Sequence, residues 1–478
     1  MTTQSPSTQS PSQENAALGA SGPAGKGFWS FVKRPVALIG GSAAIVLAVF
    51  GAVVLGLPSR ASTSDTAAST STSSSTPTSA AGNGGQPGGG SSQTYTDTAA
   101  YALNGGTAGK TGSTIVAGGT DESGVLVEAG GTLTLTDVKL RTSGSSKSSD
   151  ESSFYGLDSG LLVYKSGTVG IVGGSYITTG LGANAVFAYG SGSSITVSGA
   201  TVKASGAYSH GLMASGGGKI TANSTIVATQ GHNSAALATD RGGGTITFIG
   251  GSLSTTGTDA PLIYSTGSIT ATSTTGTAST AEAVVVEGSN SVTLVNSKLS
   301  GRKNGVMLYQ SFSGDAQVGT SQFTMTGGSL TSTAGDAFLV KNTKATVLIR
   351  GGAKISEASG KLIDATNEGV VTFTAQGETL TGDVVTDSTS SATVLLEDGT
   401  TLTGKIDKAA LTLDSTSKWT VTANSAVSTL TGAVISGSEV TNVVGNGHDV
   451  YYSKSASANS YLGGKTYTLV GGGELIPE

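Results

Sequence analysis

Apolar and polar residues recur along most of the chain in sets of three short segments. In one set, the first segment begins at Asn184 and reads Asn-Ala-Val-Phe-Ala-Tyr, and Ser-Ile-Thr-Val and Ala-Thr-Val-Lys follow it after short turns. The middle segment alternates apolar and polar residues, which is the pattern of a strand with one buried face. Copies of the first segment begin at Ser159, Asn184, His210, Ser234, Asp259, Glu282, Asn304 and Asp336.

The spacing of these copies predicts a solenoid. From Ser159 to Asn304 they follow one another at intervals of 22–26 residues. A fixed period of about 20–50 residues is typical of repeat architectures. Three short strands per period match one rung of a parallel β-helix, in which each rung contacts only its neighbours. We therefore predict an all-β, right-handed parallel β-helix over residues 94–420, with the last rungs and a cap over residues 421–478.

Two intervals are longer than the others and indicate insertions. A weaker copy at Ser123 precedes Ser159 by 36 residues, and Asn304 precedes Asp336 by 32. The additional residues, 143–158 and 311–322, are polar and rich in Ser and Gly. Insertions in solenoids form loops, often on the binding face. We therefore expect these two segments to lie outside the regular rungs.

The first segment of each rung allows two arrangements of its side chains. If small residues such as Ala188 and Ala214 face inward, the outer face carries a stripe of large apolar residues and tyrosines. If the large residues face inward, this stripe does not exist. The outer positions would be Leu162, Phe187, Met213, Leu237, Leu262, Val285, Met307 and Leu339. We favour the first arrangement, and strand parity then places a column of tyrosines on the same side.

This column supplies the candidate ligand-binding residues. Aromatic rings on a flat strand face can stack on sugars or on the apolar surface of a partner protein. The alternative is that these tyrosines only flank the strands. The candidates are Tyr164, Tyr189, Tyr264 and Tyr309.

The N-terminal part of the chain has a different character. Residues 1–25 are rich in Ser, Thr, Pro and Gln and predict a disordered tail. Residues 26–60 contain an uncharged stretch of 22 residues, 36–57, which is long enough to cross a bilayer as a helix. Residues 61–93 are rich in Ser, Thr and Gly and predict a flexible linker.

The charges around this stretch predict its orientation. Lys26, Lys33 and Arg34 precede it, which favours a cytoplasmic N-terminus and an exported β-helix. The expected location is therefore the cell membrane, with a single pass and the membrane itself as a partner. A cleaved signal peptide, with a site near Ala61 and a secreted product, is the alternative.

Composition narrows the classes of function. Only 12% of the residues are charged and the net charge is −5, so a nucleic-acid partner is not expected, because phosphate binding needs basic clusters. There is no cysteine, which excludes disulfides and thiolate metal sites. His232 and His448 have no evident partner, and the sequence does not favour metal binding by any of the three histidines. We therefore expect neither a metal nor another cofactor.

Two carboxylates are candidates for a catalytic pair. Asp259 and Glu282 open adjacent rungs, and carboxylates about 5 Å apart suit a retaining glycosidase. Other rungs place Ser or Asn at this position, which favours a polar turn column. His210 and Ser234 precede Asp259 in the column, but a catalytic triad needs His in the middle. We predict no catalytic residue.

The rungs resemble those of known β-helices. The sequence Gly-Leu-Met-Ala-Ser-Gly-Gly-Gly-Lys-Ile-Thr-Ala at 211–222, and Lys-Trp-Thr-Val-Thr from Lys418, are similar to the pectin-lyase-like class and most of all to bacterial autotransporter passenger domains. The resemblance implies an adhesin-like bacterial surface protein. Polysaccharide lyases and hydrolases share this fold. No amphipathic membrane strands follow before Pro477, so we expect the N-terminal helix to replace the autotransporter barrel.

These observations predict an exported, membrane-tethered β-helical surface protein. Its expected role is to bind or adhere to a glycan or to the surface of a partner protein, without catalysis. The alternative is a lyase or hydrolase that acts on polysaccharides.

Overall fold

The computed structural model describes residues 98–478, which form a parallel β-solenoid of about 15 turns. The solenoid is of the right-handed type, and only 3% of it is helical. This confirms the predicted fold class. The predicted tail, membrane segment and linker lie outside the described residues. Within residues 98–478, no helix is both long and apolar enough to cross a membrane.

Each regular rung contributes one strand to each of three long parallel sheets. Within residues 98–478, the first sheet has 12 strands. They are Thr98–Asn104, Glu122–Glu128, Leu161–Val163, Val186–Tyr189, Leu212–Ser215, Leu237–Thr239, Ile263–Ser265, Val284–Glu287, Val306–Tyr309, Phe338–Lys341, Lys361–Thr366 and Asp383–Thr386.

The second sheet continues almost to the C-terminus. Its strands alternate between buried apolar and outward polar residues, as predicted. They are Thr107–Thr111, Thr132–Thr136, Thr168–Val172, Ser194–Ser198, Gly218–Asn223, Gly244–Ile249, Ser268–Thr272, Ser291–Val295, Thr320–Thr326, Lys344–Arg350, Val370–Gln376, Ser391–Glu397, Asp407–Leu413, Ser425–Thr431, Val450–Tyr452 and Glu474–Pro477.

The third sheet covers the remaining side of the helix. Its strands are Thr114–Ala117, Lys139–Thr142, Ser175–Thr178, Thr201–Ala204, Ile226–Thr229, Ser252–Thr255, Thr275–Ala278, Lys298–Gly301, Ser329–Ser332 and Lys354–Ser356. The stack continues through Thr379–Thr381, Thr401–Thr403, Lys418–Thr420, Glu439–Val444 and Tyr467–Val470. Near the C-terminus, Ile435–Ser436 and Glu474–Pro477 make antiparallel pairs with this stack.

Two short helices complete the described chain. The α-helix Ser149–Tyr155 lies in the first insertion; the Ser148 side chain accepts a hydrogen bond from the Glu151 N–H at its start, and Gly156 ends it in the left-handed conformation. A 3₁₀ helix, Ser457–Leu462, lies near the C-terminus. In the α-helix, the Ser148 side chain satisfies an N–H that has no partner inside the helix.

The first sheet buries apolar residues on both faces. Val163, Ala188 and Ala214 belong to the main core inside the solenoid. Leu162, Phe187 and Met213 alternate with them and form a separate cluster on the outer face. This outer cluster confirms the predicted arrangement with the small residues inward. We call it the outer cluster below.

The register differs from the prediction in two rungs. Leu212 pairs with Leu237, and Leu237 pairs with Ile263, so Leu237 and Leu262 both join the main core. Tyr264 therefore stands two places earlier than expected, in the column of Phe187 and Met213 rather than that of Tyr189. In the later rung, Pro261 explains the shift, because it has no N–H for a ladder hydrogen bond and delays the start of the strand.

A column of glycines lines the turn from the third sheet into the next rung. A Cβ added at Gly206 would lie 1.7 Å from the carbonyl oxygen of Gly180, and one at Gly231 would lie 1.7 Å from that of Gly206. A Cβ added at Gly180 would lie 1.4 Å from the carbonyl oxygen of Gly144, and one at Gly257 would lie 1.8 Å from that of Gly231. Any larger residue would push the rungs apart, so close stacking at this corner requires glycine.

Candidate functional site

The two insertions lie over the outer face of the first sheet and approach each other there. On one side, the Ser215 hydroxyl donates to the Phe154 carbonyl oxygen at 2.6 Å, which attaches the helix to the sheet. On the other side, the Ser311 hydroxyl donates to Glu287. The prediction that both segments leave the regular rungs is confirmed.

Arg241 connects the two insertions. Its guanidinium lies 3.8 Å from the ring centroid of Phe154, in the first insertion. Its Nη2 also lies 2.8 Å from Oδ1 of Asp315, in the second insertion. A cation over an aromatic face and an ion pair both contribute to this contact. Arg241 thus holds two segments that the sequence separates by more than 150 residues.

A cleft of about 330 Å³ lies between the insertions and the sheet. This volume is at the lower end of the usual range for ligand sites. The cleft combines aromatic rings, carboxylates and neutral polar groups. Its lining includes Phe154, Tyr208, Tyr264, Phe312, Asp150, Asp240, Asp259, Asp315, Arg241, His210 and Asn233.

Asn233 presents an unsatisfied amide to this cleft. The residue is only 8% exposed, and neither Nδ2 nor Oδ1 has a hydrogen-bond partner within residues 98–478. Buried polar side chains almost always have partners, and each one left without a partner costs about 1–3 kcal/mol. The amide therefore marks a place where a further molecule can both accept and donate a hydrogen bond.

His210 contributes a donor to the same cleft. Its Nδ1 accepts a hydrogen bond from the Ala235 N–H at 3.0 Å. Burial lowers the pKa of His210 to about 4, so the ring is neutral at ordinary pH. Because Nδ1 accepts, the proton of the neutral ring lies on Nε2, which can donate to a ligand.

Two buried carboxyl groups lie beside the cleft. Asp240 Oδ1 accepts the Arg241 backbone N–H at 2.7 Å. Burial, with Asp315 and Glu287 nearby, raises the pKa of Asp240 well above its ordinary value. Glu287 accepts hydrogen bonds from the hydroxyls of Tyr264 and Tyr309 at 2.5 and 2.7 Å. Burial raises the pKa of Glu287 despite these bonds.

The four predicted tyrosines form two pairs rather than one open column. Tyr164 and Tyr189 stack with their ring centroids 6.4 Å apart, beside the helical insertion. Tyr264 and Tyr309 hold Glu287 under the second insertion. Tyr164 and Tyr264 are each only 7% exposed, and the other two are half-buried. Of the four, Tyr264 alone lines the cleft described above, and a direct role of the others in binding stays a prediction.

The suggested carboxylate pair is not formed. Ile263 pairs with Val284, which places Pro261 rather than Asp259 opposite Glu282. Asp259 forms an ion pair with Lys303 and lines the cleft. Glu282 is buried, accepts a hydrogen bond from the Asn304 amide at 3.3 Å and has a raised pKa because of burial. The register also places Ala235, not Ser234, opposite His210.

Several residues of the cleft were not singled out from the sequence. They are Phe154, Asn233, Asp240, Arg241, Phe312 and Asp315. One signal was present, because Asp240-Arg241 is a pair of charges in a chain with only 12% charged residues. Within the described chain, no group of three or more His, Asp or Glu side chains has the arrangement of a metal site.

Sequence comparisons do not assign a function to this cleft. No protein-family model matches the chain. A search of curated proteins also finds no match.

Proposed function

We propose that this chain is an exported, membrane-tethered surface protein that binds a glycan in the cleft and does not transform it. The observation that carries the proposal is the buried amide of Asn233, which has no partner among residues 98–478. A sugar hydroxyl both donates and accepts hydrogen bonds, so it can satisfy both atoms of an amide. His210 adds a donor beside it.

The aromatic walls support the same ligand. Phe154 and Tyr208 line the cleft, and Phe312 stands at it with 83% of its surface exposed. A sugar ring has apolar C–H faces and polar edges, so it suits aromatic walls with hydrogen-bonding groups between them. An exposed phenylalanine is unfavourable in water, and a bound ligand would cover it.

Export and anchoring are supported by the sequence. The apolar segment 36–57 and the preceding basic residues favour a single membrane pass with the β-helix outside the cell. The resemblance to autotransporter passenger domains, which belong to the pectin-lyase-like class, supports an adhesin-like role on a bacterial surface. External protease should therefore digest the β-helix on intact cells and spare a tag at the N-terminus. Digestion of the tag would contradict this orientation.

The binding proposal is tested with the full-length protein in detergent on a glycan array, followed by affinity measurements on the glycans it retains. We expect Asn233→Gly to weaken binding roughly tenfold or more, because both hydrogen bonds between the side-chain amide and the ligand are lost. Glycine tolerates the positive φ of this residue, which is 51°. Asn296→Gly is the matched control, with a φ of 49° outside the cleft, and should bind normally.

Retention of no glycan, or an Asn233→Gly variant that binds as well as the control, would overturn the proposal. If the protein instead retains a purified surface protein and this contact is insensitive to Asn233→Gly, the ligand lies elsewhere on the solenoid.

A second candidate function is cleavage of the bound glycan by a hydrolase or lyase mechanism. It is favoured by Asp240, whose raised pKa lets the carboxyl keep its proton as a general acid must. The register places Glu287 in the same column two strands away. This corresponds to about 10 Å, near the spacing of carboxylates in inverting glycosidases. Release of reducing or unsaturated ends that Asp240→Asn abolishes would establish the enzyme and overturn the non-catalytic proposal.

A further inference from the structure

The charges around the cleft are unequal. Four carboxylates line it, those of Asp150, Asp240, Asp259 and Asp315, against the single guanidinium of Arg241. Arg241 already pairs with Asp315 and covers Phe154. Asp259 is paired with Lys303. Asp240 is thus the buried member of the group that has no ion-pair partner among the described side chains.

The lack of an ion-pair partner matters because Asp240 is buried. The residue is 9% exposed, and its Oδ1 is occupied by the N–H of the next residue. Its Oδ2 receives no hydrogen bond within residues 98–478, and the residue borders the cleft. A buried carboxylate is costly unless a cation or strong donor accompanies it. Asp315 and Glu287 lie close enough to raise that cost further, and the nearby guanidinium of Arg241, already paired with Asp315, offsets only part of it.

We propose that the glycan of this cleft is an amino sugar with a free amine, whose ammonium group pairs with Asp240. The inference rests on the proposed glycan binding and specifies its chemistry. The ammonium would supply the cation that the carboxylate lacks, and a charge-assisted hydrogen bond of this kind is about twice as strong as a neutral one. Asn233 and His210 would then take neighbouring hydroxyls of the same sugar.

The same arrangement disfavours acidic glycans. A uronic acid placed in the cleft would bring its carboxylate against those of Asp259 and Asp315, and it would offer no cation to Asp240. Like charges in a partly buried site repel, since the low dielectric screens them poorly. The lining therefore selects against polyuronides and in favour of a cationic sugar.

The test uses full-length protein and three oligosaccharides of equal length, made of glucosamine, N-acetylglucosamine or galacturonic acid. We expect the glucosamine oligomer to bind roughly tenfold or more tightly than the acetylated one, and the galacturonate oligomer not to bind. Asp240→Asn keeps the shape of the side chain and should remove this preference while the acetylated oligomer binds as before. Asp398→Asn, at an exposed turn outside the cleft, is the control and should keep the preference.

The outcomes separate this inference from the proposed function. If the acetylated oligomer binds as well as the glucosamine oligomer, or if Asp398→Asn removes the preference as fully as Asp240→Asn, the amine inference is wrong and glycan binding stands. If none of the three oligomers binds but the array retains another neutral glycan, the inference also fails alone. If no glycan of any kind binds, both proposals fail.

Proton release provides a second readout. At about pH 5 an amine is fully charged, so its binding should displace a proton from the Asp240 carboxyl, detected as a binding enthalpy that depends on the buffer. Asp240→Asn should abolish the release, and its persistence would contradict the inference. The other titratable or charged groups around Asp240 are Glu287, Asp315, Arg241, Tyr264, Tyr309, His210 and Asp259.

Discussion

The outer faces of the first and second sheets are built on the same stack of rungs but are used differently. The second sheet shows Thr196 and Thr221 to solvent in consecutive rungs. The first sheet places Phe187 and Met213 at its outer positions, and both are fully buried. The difference arises because two insertions cover the first sheet and leave the second bare. A cleft thus forms where a regular face is covered incompletely.

The largest expected effect is a loss of stability from a substitution on the covered outer face of the first sheet. Phe187→Ala should lower the free energy of unfolding by about 3–5 kcal/mol, because it removes a fully buried ring from the outer cluster. Chemical denaturation followed by circular dichroism measures this. A loss below about 1 kcal/mol would mean that the outer cluster does not support the fold.

A smaller effect is expected where the insertions meet. Arg241→Ala should cost about 1–2 kcal/mol, the combined size of an ion pair and a cation–π contact that are partly exposed. Hydrogen exchange should become faster in residues 149–155 and 311–319 together. Lys405→Ala breaks the ion pair with Asp407, away from the cleft, and should leave both segments unchanged. Faster exchange in only one segment would contradict a shared contact.

The first insertion, which covers the first sheet, should also make the stability of the fold depend on pH. Burial raises the pKa of Asp158, at the end of the first insertion, to about 7 from an ordinary value of 3.8. The folded state therefore binds this proton more tightly than the unfolded chain. The stabilisation is complete below about pH 4 and is lost as the pH rises to about 7.

This profile is measured by thermal unfolding across the same pH range. Asp158→Asn stays neutral throughout, so its stability should fall less steeply with pH. The exposed Asp150→Asn is the control and should follow the profile of the wild type. Identical slopes for wild type and Asp158→Asn would exclude this carboxyl as the cause.

The smallest effect is expected on the bare face. Thr221→Val changes one outward residue of the second sheet and should alter stability by no more than about 0.5 kcal/mol. Glycan binding should stay the same. A clear loss of binding in this variant would show that the second sheet also contacts the ligand, and the proposed contrast between the faces would be wrong.

The sequence predicts the regular part of the fold well, for a physical reason. Strand alternation depends on neighbouring residues, so the inward Ile195 and Ile220 of the second sheet can be read directly. The first sheet is harder, since both of its faces are buried and its strands read as continuous apolar runs. The copies at Ser234 and Asp259 were therefore aligned one or two residues out of register.

The candidate site was only partly predictable. The insertions could be located, because they lengthen a regular interval. Their meeting could not, since it depends on a contact between Arg241 and Asp315, which are 74 residues apart. The tyrosines were found by their repetition, but most of them support the insertions and Glu287 rather than line the cleft. The unpaired amide of Asn233 is a property of packing and has no signature in sequence.

The contact between Arg241 and Asp315 also has a mechanical consequence. Under tension from its ends, a solenoid should lose its rungs singly, because each contacts only its neighbours. A rung of about 25 residues then releases roughly 85 Å of chain. The contact joins residues 74 positions apart, so it adds a barrier across several rungs, and when it yields the enclosed chain can lengthen by up to about 250 Å. If the protein is tethered as we propose, it would absorb a pull at the same place as the proposed ligand site.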